Sequence, residues 1–291
     1  MSMTAGRPFR SVLYMPASNT RALAKAATLG CDAVIVDLED AVAPGDKDLA
    51  RRNLKDWFSA RDAKPAVTII RINALSTELG ADDLSLARSL EPEGILLPKV
   101  DTPRDILEAG DALDEEATPE TTKLWAMVET PKAMLNLGAI AELGRDPASR
   151  LAGLVAGTND LAKDTGVLVT PDRRYLLPWL MQIVLAARAG GLVALDGVMN
   201  EFRDLDAFGR ECTEAAAMGF DGKTLIHPAQ IEPANKAFSP SDAAVAEAQA
   251  IVETFALPEN AGKGVISLDG RMVERLHLAQ AERLLARAGR A

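Results

Sequence analysis

Eight short apolar runs, many of them β-branched, recur along the chain with helix-like stretches between them, and this alternation limits the fold more than any single residue does. The runs are Ser11 to Met15, Ala33 to Asp37, Val67 to Ile72, Gly94 to Leu97, Leu124 to Val128, Leu154 to Ala156, Val193 to Asp196 and Thr224 to Ile226. Between them lie Thr20 to Leu29, Asp46 to Trp57, Ala81 to Leu90, Pro103 to Leu113, Pro131 to Leu143, Tyr175 to Ala189 and Leu205 to Met218, rich in Ala, Leu, Arg and Glu with apolar positions three and four apart. Continuous apolar strands separated by helices imply a parallel sheet covered on its outer face. Eight such units in about 230 residues suit a (β/α)8 TIM barrel, whose working side chains sit just beyond the C-terminal ends of the strands. An open doubly wound sheet is the alternative. It would need a glycine loop for phosphate after the first strand, and Pro16-Ala17-Ser18-Asn19 carries no such pattern.

After Ile226 the rhythm changes to a loop (HPAQIEPANKAFSPS), a helix from Asp242 to Phe255, a glycine-containing turn (GKGVISLDG) and a last helix from about Val273 to Ala288. The expected organisation is a barrel over residues 1–236 and a C-terminal helical extension over 237–291 that packs on the barrel or on a neighbouring subunit. Asp and Glu number 42 against 32 Lys and Arg, for a net charge of −10, so no basic stripe is available to neutralise a nucleic-acid backbone. Two cysteines, Cys31 and Cys212, exclude a disulfide framework and a cysteine zinc site and read as core packing in a reducing cytoplasm. The N-terminal stretch lacks a sustained apolar run, and the longest apolar stretch, Leu176 to Ala187, is shorter than the roughly 20 residues of a spanning helix. The expectation is a protein neither secreted nor membrane-bound.

Charged residues fall at telling places. Asp37, Glu39 and Asp40 follow the second run, Arg71 lies in the third, Lys99 follows the fourth, Glu129 the fifth and Asp160 the sixth, and Asp196 ends the seventh. An ionised side chain beside an apolar strand must be solvated, paired or metal-bound. Carboxylates converging without two histidines or a cysteine form a hard, oxygen-rich site that favours Mg2+ or Mn2+; alternatively the same acids cap helices or pair with rim cations. Arg71, among Ile69, Ile70 and Ile72, suits a carboxylate or a developing enolate oxygen, or forms a structural ion pair with Asp37 or Glu39. Gly157-Thr158-Asn159-Asp160 reads as a loop whose backbone N–H groups cradle an anion. His227 is either an acid/base group or part of a proline turn, His277 reads as structural, and Lys99 and Lys223 are candidates for a Schiff base.

RSVLYMPASN, DAVIVDLEDAVAPGDKDLAR, IIRINAL, ILLPKV, VETPKAMLN, AGTNDLAKDTG, GFDGKTLIHPAQI and GRMVERLHLAQAERLL, in this order from Arg10 to Leu285, resemble the citrate lyase β-subunit-like family of CoA-ester lyases. The resemblance implies a TIM barrel, a bound Mg2+, trimeric or hexameric assembly, and cleavage of a 3-hydroxyacyl thioester such as malyl-, citramalyl- or citryl-thioester into an acyl thioester and a 2-oxo acid, in either direction. By resemblance Glu129 and Asp160 hold the metal, Arg71 neutralises substrate or enolate oxygen, and Asp37, Glu39 and Asp40 hold the arginine and metal-bound waters. Arg10 and the segment Ile226, Pro228 and Gln230 correspond to segments that contact coenzyme A. An Asp that reaches a neighbouring subunit's site as acid/base in the family is replaced here by Glu274. A stand-alone lyase, its reverse synthase or a thioesterase, a subunit acting on an acyl-carrier partner, and a non-catalytic metabolite-binding relative remain open at this point. The absence of a histidine near the second or third strand argues against the metal-dependent 2-oxo-4-hydroxy acid aldolases.

Overall fold

The computed structural model describes residues 7–60 and 67–289. Part of the N-terminal stretch read above for an apolar run, residues 1–6, lies outside them. The chain divides into two compact units, one spanning Phe9–Lys236 and a smaller one built from Ala237 onward.

In the larger unit eight parallel strands close into a barrel: β1 (Ser11–Pro16), β2 (Ala33–Asp37), β3 (Thr68–Arg71), β4 (Gly94–Leu97), β5 (Lys123–Val128), β6 (Leu151–Ala156), β7 (Val193–Asp196) and β8 (Gly222–Leu225). Closure is made by β1, which pairs with β2 on one side and β8 on the other. The surrounding helices are α1 (Thr20–Lys25), α2 (Lys47–Ser59), α3 (Glu78–Leu90), α4 (Pro103–Glu115), α5 (Pro131–Glu142), α6 (Thr158–Thr165), α7 (Leu177–Gly190) and α8 (Leu205–Met218), and α9 (Ile231–Phe238) follows the last strand. Side chains alternate across a strand, and one phase of the alternation fills the barrel. Val12, Ala33 with Ile35, Ile69, Leu96, Trp125 with Met127, Val155 and Leu195 form one buried cluster. Trp125 has no exposed surface, and its ring fits because β6 carries Gly153, where a Cβ would lie 2.3 Å from the indole.

Two segments read as loops are helical. Gly157-Thr158-Asn159-Asp160 is the N-terminus of α6, with Gly157 as its N-cap and Gly166 in left-handed conformation closing it. It escapes periodicity because it runs for only 8 residues. In the same way Ile231–Phe238, inside the presumed loop, forms α9.

The smaller unit contains α10 (Asp242–Ala256), a hairpin of β9 (Val265–Leu268) and β10 (Arg271–Glu274), and α11 (Arg275–Arg287). Val245 and Ala248 pack with Ala281 and Leu285, while Phe255, Ile266 and Val273 bury the hairpin's inner face. The expected glycine turn is thus a two-stranded ribbon. Asp269 and Gly270 at its tip, at φ 49° and 75°, have the positive values that a tight hairpin between twisted strands demands. No helix among the described residues is long and apolar enough to cross a membrane.

Candidate active site

The alternation that fills the barrel also loads its C-terminal mouth. Ala33 and Ile35 are followed two residues on by Asp37, Ile69 by Arg71, and Trp125 and Met127 by Glu129, so apolar inward positions turn ionic at the end of each strand. Register places Asp37 beside Arg71 on neighbouring strands. The guanidinium grips Asp37 through Nε at 2.8 Å and Nη2 at 2.5 Å, lies 2.8 Å from Glu39 through Nη1, and rests over the ring of Tyr14 at 4.9 Å. Of the two alternatives for Arg71 the ion pair is the one observed, and it holds the guanidinium at the mouth. Asp37 also accepts the N–H groups of Glu39 and Ala41. With no exposed surface and both oxygens engaged, Asp37 holds Arg71 in place. Glu39 differs. Burial pushes its carboxyl up to about 7, against the pull of Arg71, so it has a proton to give or take near neutrality.

Glu129 closes β5 immediately before α5, whose start is fixed by Thr130, accepting the Ala133 N–H at 2.9 Å, and by Pro131 in the first turn. The side chain has no exposed surface. Its Oε1 accepts the Lys99 N–H at 2.7 Å and lies 3.4 Å from Lys99 Nζ, whereas Oε2 is buried without a hydrogen-bond partner. Gly157 makes this possible: a Cβ there would sit 2.3 Å from Glu129 Cβ and 3.0 Å from Oε2. Asp160, in the first turn of α6, meets Lys99 Nζ at 3.0 Å and Lys163 Nζ at 3.4 Å. Burial raises the Glu129 carboxyl above its ordinary value despite the charge of Lys99; at Asp160 desolvation is outweighed by the Lys99 hydrogen bond and charge, which lower it. Glu129 and Asp160 are thus tied together by one ammonium, with an unsatisfied carboxylate oxygen between strand and helix. No group of three or more His, Cys, Asp and Glu suited to a metal occurs among the described residues, so a cation here would need water or ligand oxygens to complete its shell.

Three residues that the sequence did not single out hold the loops of this mouth. Lys47 Nζ reaches the carbonyls of Leu38 at 2.8 Å and Glu39 at 2.7 Å and the side chain of Asn73 at 2.9 Å. Asn73 donates to Leu38 O at 2.9 Å and to the fully buried Asp83, which also takes Arg51. The signal was present in the Arg71-Ile72-Asn73 triplet, where a polar residue follows an apolar strand.

Other expected site residues lie elsewhere. Asp196 is one residue out of phase with Leu195, so it faces the helices: it pairs with Arg173 at 2.8 Å and with Lys223 at 2.6 Å and does not join the mouth. Lys223, with no exposed surface, also holds Glu211 at 2.7 Å and the Gly197 carbonyl, which leaves no amine free for a Schiff base. Arg10 precedes β1, at the opposite end of the barrel, with its guanidinium clamped on Asp32 at 2.8 Å. Gln230 is fully buried and accepts the N–H groups of Ile226 at 3.0 Å and His227 at 3.1 Å, so it shapes this segment from beneath and is not a surface contact. Ile226 is exposed and Pro228 begins the turn beyond β8, on the mouth side. His227 accepts the Ala229 N–H through Nδ1 and stacks on Phe202 at 4.7 Å, the turn-forming alternative, here with the ring as acceptor. Beside Thr158 and Asn159 lies a cavity of about 590 Å3, walled also by Leu176, Val198, Met199 and Asn200. In the smaller unit, Glu274 ends β10 and donates its N–H to His277 Nδ1 at 2.9 Å, which gives His277 its structural role.

Against known proteins, the model of the HpcH/HpaI aldolase/citrate lyase family matches residues 10–228. A (3S)-malyl-CoA thioesterase of Cereibacter sphaeroides is 47% identical over 97% of this chain and 95% of its own length. The mitochondrial citramalyl-CoA lyase of Homo sapiens is 32% identical over 94% of this chain and 84% of its own. A crystal structure of CitE from Mycobacterium tuberculosis, in complex with magnesium, acetoacetate and coenzyme A, superposes with a TM-score of 0.79 at 31% identity, covering 98% of this chain and 99% of that one. On its barrel, its mouth residues and these matches together, the chain belongs to the HpcH/HpaI aldolase/citrate lyase family.

Proposed function

We propose that this chain is a divalent-metal-dependent enzyme acting on the CoA thioester of a small 3-hydroxy dicarboxylic acid of the malyl-CoA class, and that it hydrolyses the thioester. The observation that carries the reading is Glu129, a fully buried carboxylate with one oxygen held and Oε2 unpartnered beside Asp160. A buried carboxylate oxygen without a partner is costly unless a ligand completes it, and an oxygen-only donor set suits Mg2+ or Mn2+. When bound by Glu129 and Asp160, that ion supplies Lewis acidity toward the hydroxyl and carboxylate oxygens of the acid.

The chain's own residues do the rest. Arg71, locked by Asp37, presents a preorganised cation to the oxyanion that grows on the thioester carbonyl. Gly157, Thr158 and Asn159, at the positive end of α6, receive the acid's free carboxylate. Ile226 and Pro228 and the cavity next to Thr158 take the CoA arm. In hydrolysis a water oxygen bonds to the carbonyl carbon, the C–S bond breaks and the thiolate collects a proton. Glu39 is the proton carrier inside the chain, and Glu274 of a second copy is the other candidate, which makes a homo-oligomer part of this reading.

Identity to the thioesterase favours hydrolysis. C–C cleavage to acetyl-CoA and glyoxylate is the second reading, favoured by the citramalyl-CoA lyase relative and by an arginine equally suited to an enolate. Incubation with malyl-CoA and Mg2+ is expected to release free thiol and malate without glyoxylate. Glyoxylate with acetyl-CoA would replace hydrolysis by cleavage, and turnover unchanged by EDTA would remove the metal. Activity only on an acyl-carrier thioester, with the carrier co-purifying, would move the chain into a citrate lyase-type complex.

A further inference from the structure

We infer that Lys99 is the internal counter-ion of the carboxylate pair: its ammonium holds the seat between Glu129 and Asp160 until a divalent cation takes it. This rests on reading those two acids as metal ligands. Lys99 directly follows the segment after β4 and has φ 52°, a backbone conformation that side-chain-bearing residues seldom adopt. That conformation brings two donors of one residue to the same place. The backbone N–H reaches Glu129 Oε1 at 2.7 Å, and Nζ stands 3.4 Å from that oxygen and 3.0 Å from Asp160 Oδ1.

Among the described residues, Lys99 is the cation in ion-pair range of Glu129, and its side chain is 33% exposed while that of Glu129 is 0% exposed. The lysine can therefore leave toward solvent and the glutamate cannot. Before metal arrives, the ammonium screens two facing carboxylates that would otherwise repel, and it engages Glu129 Oε1 while Oε2 has no hydrogen-bond partner. When a dication enters, the same positive charge opposes it, and the ammonium swings outward toward solvent. Lys163, also near Asp160 but highly exposed on α6, does not substitute, because it makes no ion pair with Glu129.

The test measures Mn2+ binding directly, by calorimetry and by the spin resonance of the ion, together with thermal stability in EDTA, for wild type, Lys99→Met, Lys99→Arg and Glu129→Gln. Loss of one positive charge at this range is expected to tighten Mn2+ binding on the order of ten-fold in Lys99→Met and to lower the metal-free melting temperature, while Lys99→Arg, which keeps the charge, binds no more tightly than wild type. Lys99→Gln serves as a second neutral variant if Lys99→Met does not fold. Equal or weaker Mn2+ binding by the folded neutral variant would overturn the inference. Failure of wild type to bind Mn2+, or binding undiminished in Glu129→Gln, would instead overturn the metal assignment on which it rests.

Discussion

Two lysine-centred clusters lie around the same barrel and have opposite characters. Around Lys223, an ammonium with no exposed surface meets three acceptors, Asp196, Glu211 and the Gly197 carbonyl, and Arg173 covers the other side of Asp196. Around Lys99, a partly exposed ammonium bridges Glu129 and Asp160, and Glu129 Oε2 is left without a partner. The charge types are nearly the same. What differs is the state of the carboxylates: in the first cluster the lysine's donors are matched by protein acceptors and Asp196 is held from two sides, while in the second Glu129 keeps one oxygen, Oε2, buried without a hydrogen-bond partner. Charged residues after apolar strands thus mark where polar clusters form, and their satisfaction decides whether the cluster supports structure or chemistry.

The comparison predicts opposite consequences for substitutions on the two sides. Glu129→Gln is expected to lower kcat on the order of a thousand-fold with the melting temperature unchanged or raised, because it removes the proposed ligand oxygen, a buried carboxylate oxygen without a partner in the protein. Normal turnover by this variant would show that the open oxygen has no role. Lys223→Met is expected to destabilise the fold by roughly 3–5 kcal/mol, because it leaves the buried Asp196 and the half-buried Glu211 with Arg173 as their remaining cation, with kcat of the remaining folded protein little affected. Denaturant unfolding and active-site-normalised rates separate the two; a stable but inactive Lys223→Met would erase the distinction.

Gly157→Ala sharpens it further. The added methyl would lie 2.3 Å from Glu129 Cβ and 3.3 Å from its Cα, so the backbone at the end of β5 and the N-terminus of α6 must move apart and carry the carboxylate with them. Mn2+ affinity and turnover should both fall, by about ten-fold or more for a displacement near 1 Å, with a smaller change in stability than Lys223→Met causes. Unaltered Mn2+ affinity would mean that Glu129 is not held where it matters.

Much of this was legible in the residues. All eight strands followed from continuous apolar runs, and Glu129, Asp160 and Arg71 followed from ionic residues at strand ends. What could not be read was phase. Asp196 and Glu129 look alike after their strands, but Leu195 faces inward and turns Asp196 outward, whereas Met127 faces inward and keeps Glu129 inside. The bridging role of Lys99 depends on a left-handed backbone that no neighbouring glycine announces. Which end of the barrel Arg10 occupies was likewise not readable from its adjacency to a strand. The β9–β10 hairpin did carry its signal, Asp269-Gly270, which was absorbed into a generic turn.

Glu39 offers the smallest and most specific test, since it belongs to the open mouth yet touches the closed Arg71–Asp37 pair. Its carboxyl, pushed up to about 7 from an ordinary 4.5 chiefly by burial, binds a proton more tightly in the folded chain than in the unfolded one. The stability this gives is fully present below the ordinary value and is lost as pH rises through about 7. Glu39→Gln removes the titration, so the variant's melting temperature should decline less than that of wild type between about pH 5 and pH 8, by a few degrees, the effect of roughly 1 kcal/mol in a domain of this size. The turnover rate should lose its dependence on a group titrating in the same interval if Glu39 handles the proton. Parallel melting curves for the two proteins with an unchanged rate profile would place Glu39 with Asp37, as a holder of Arg71, and would leave proton transfer to Glu274 of a second copy.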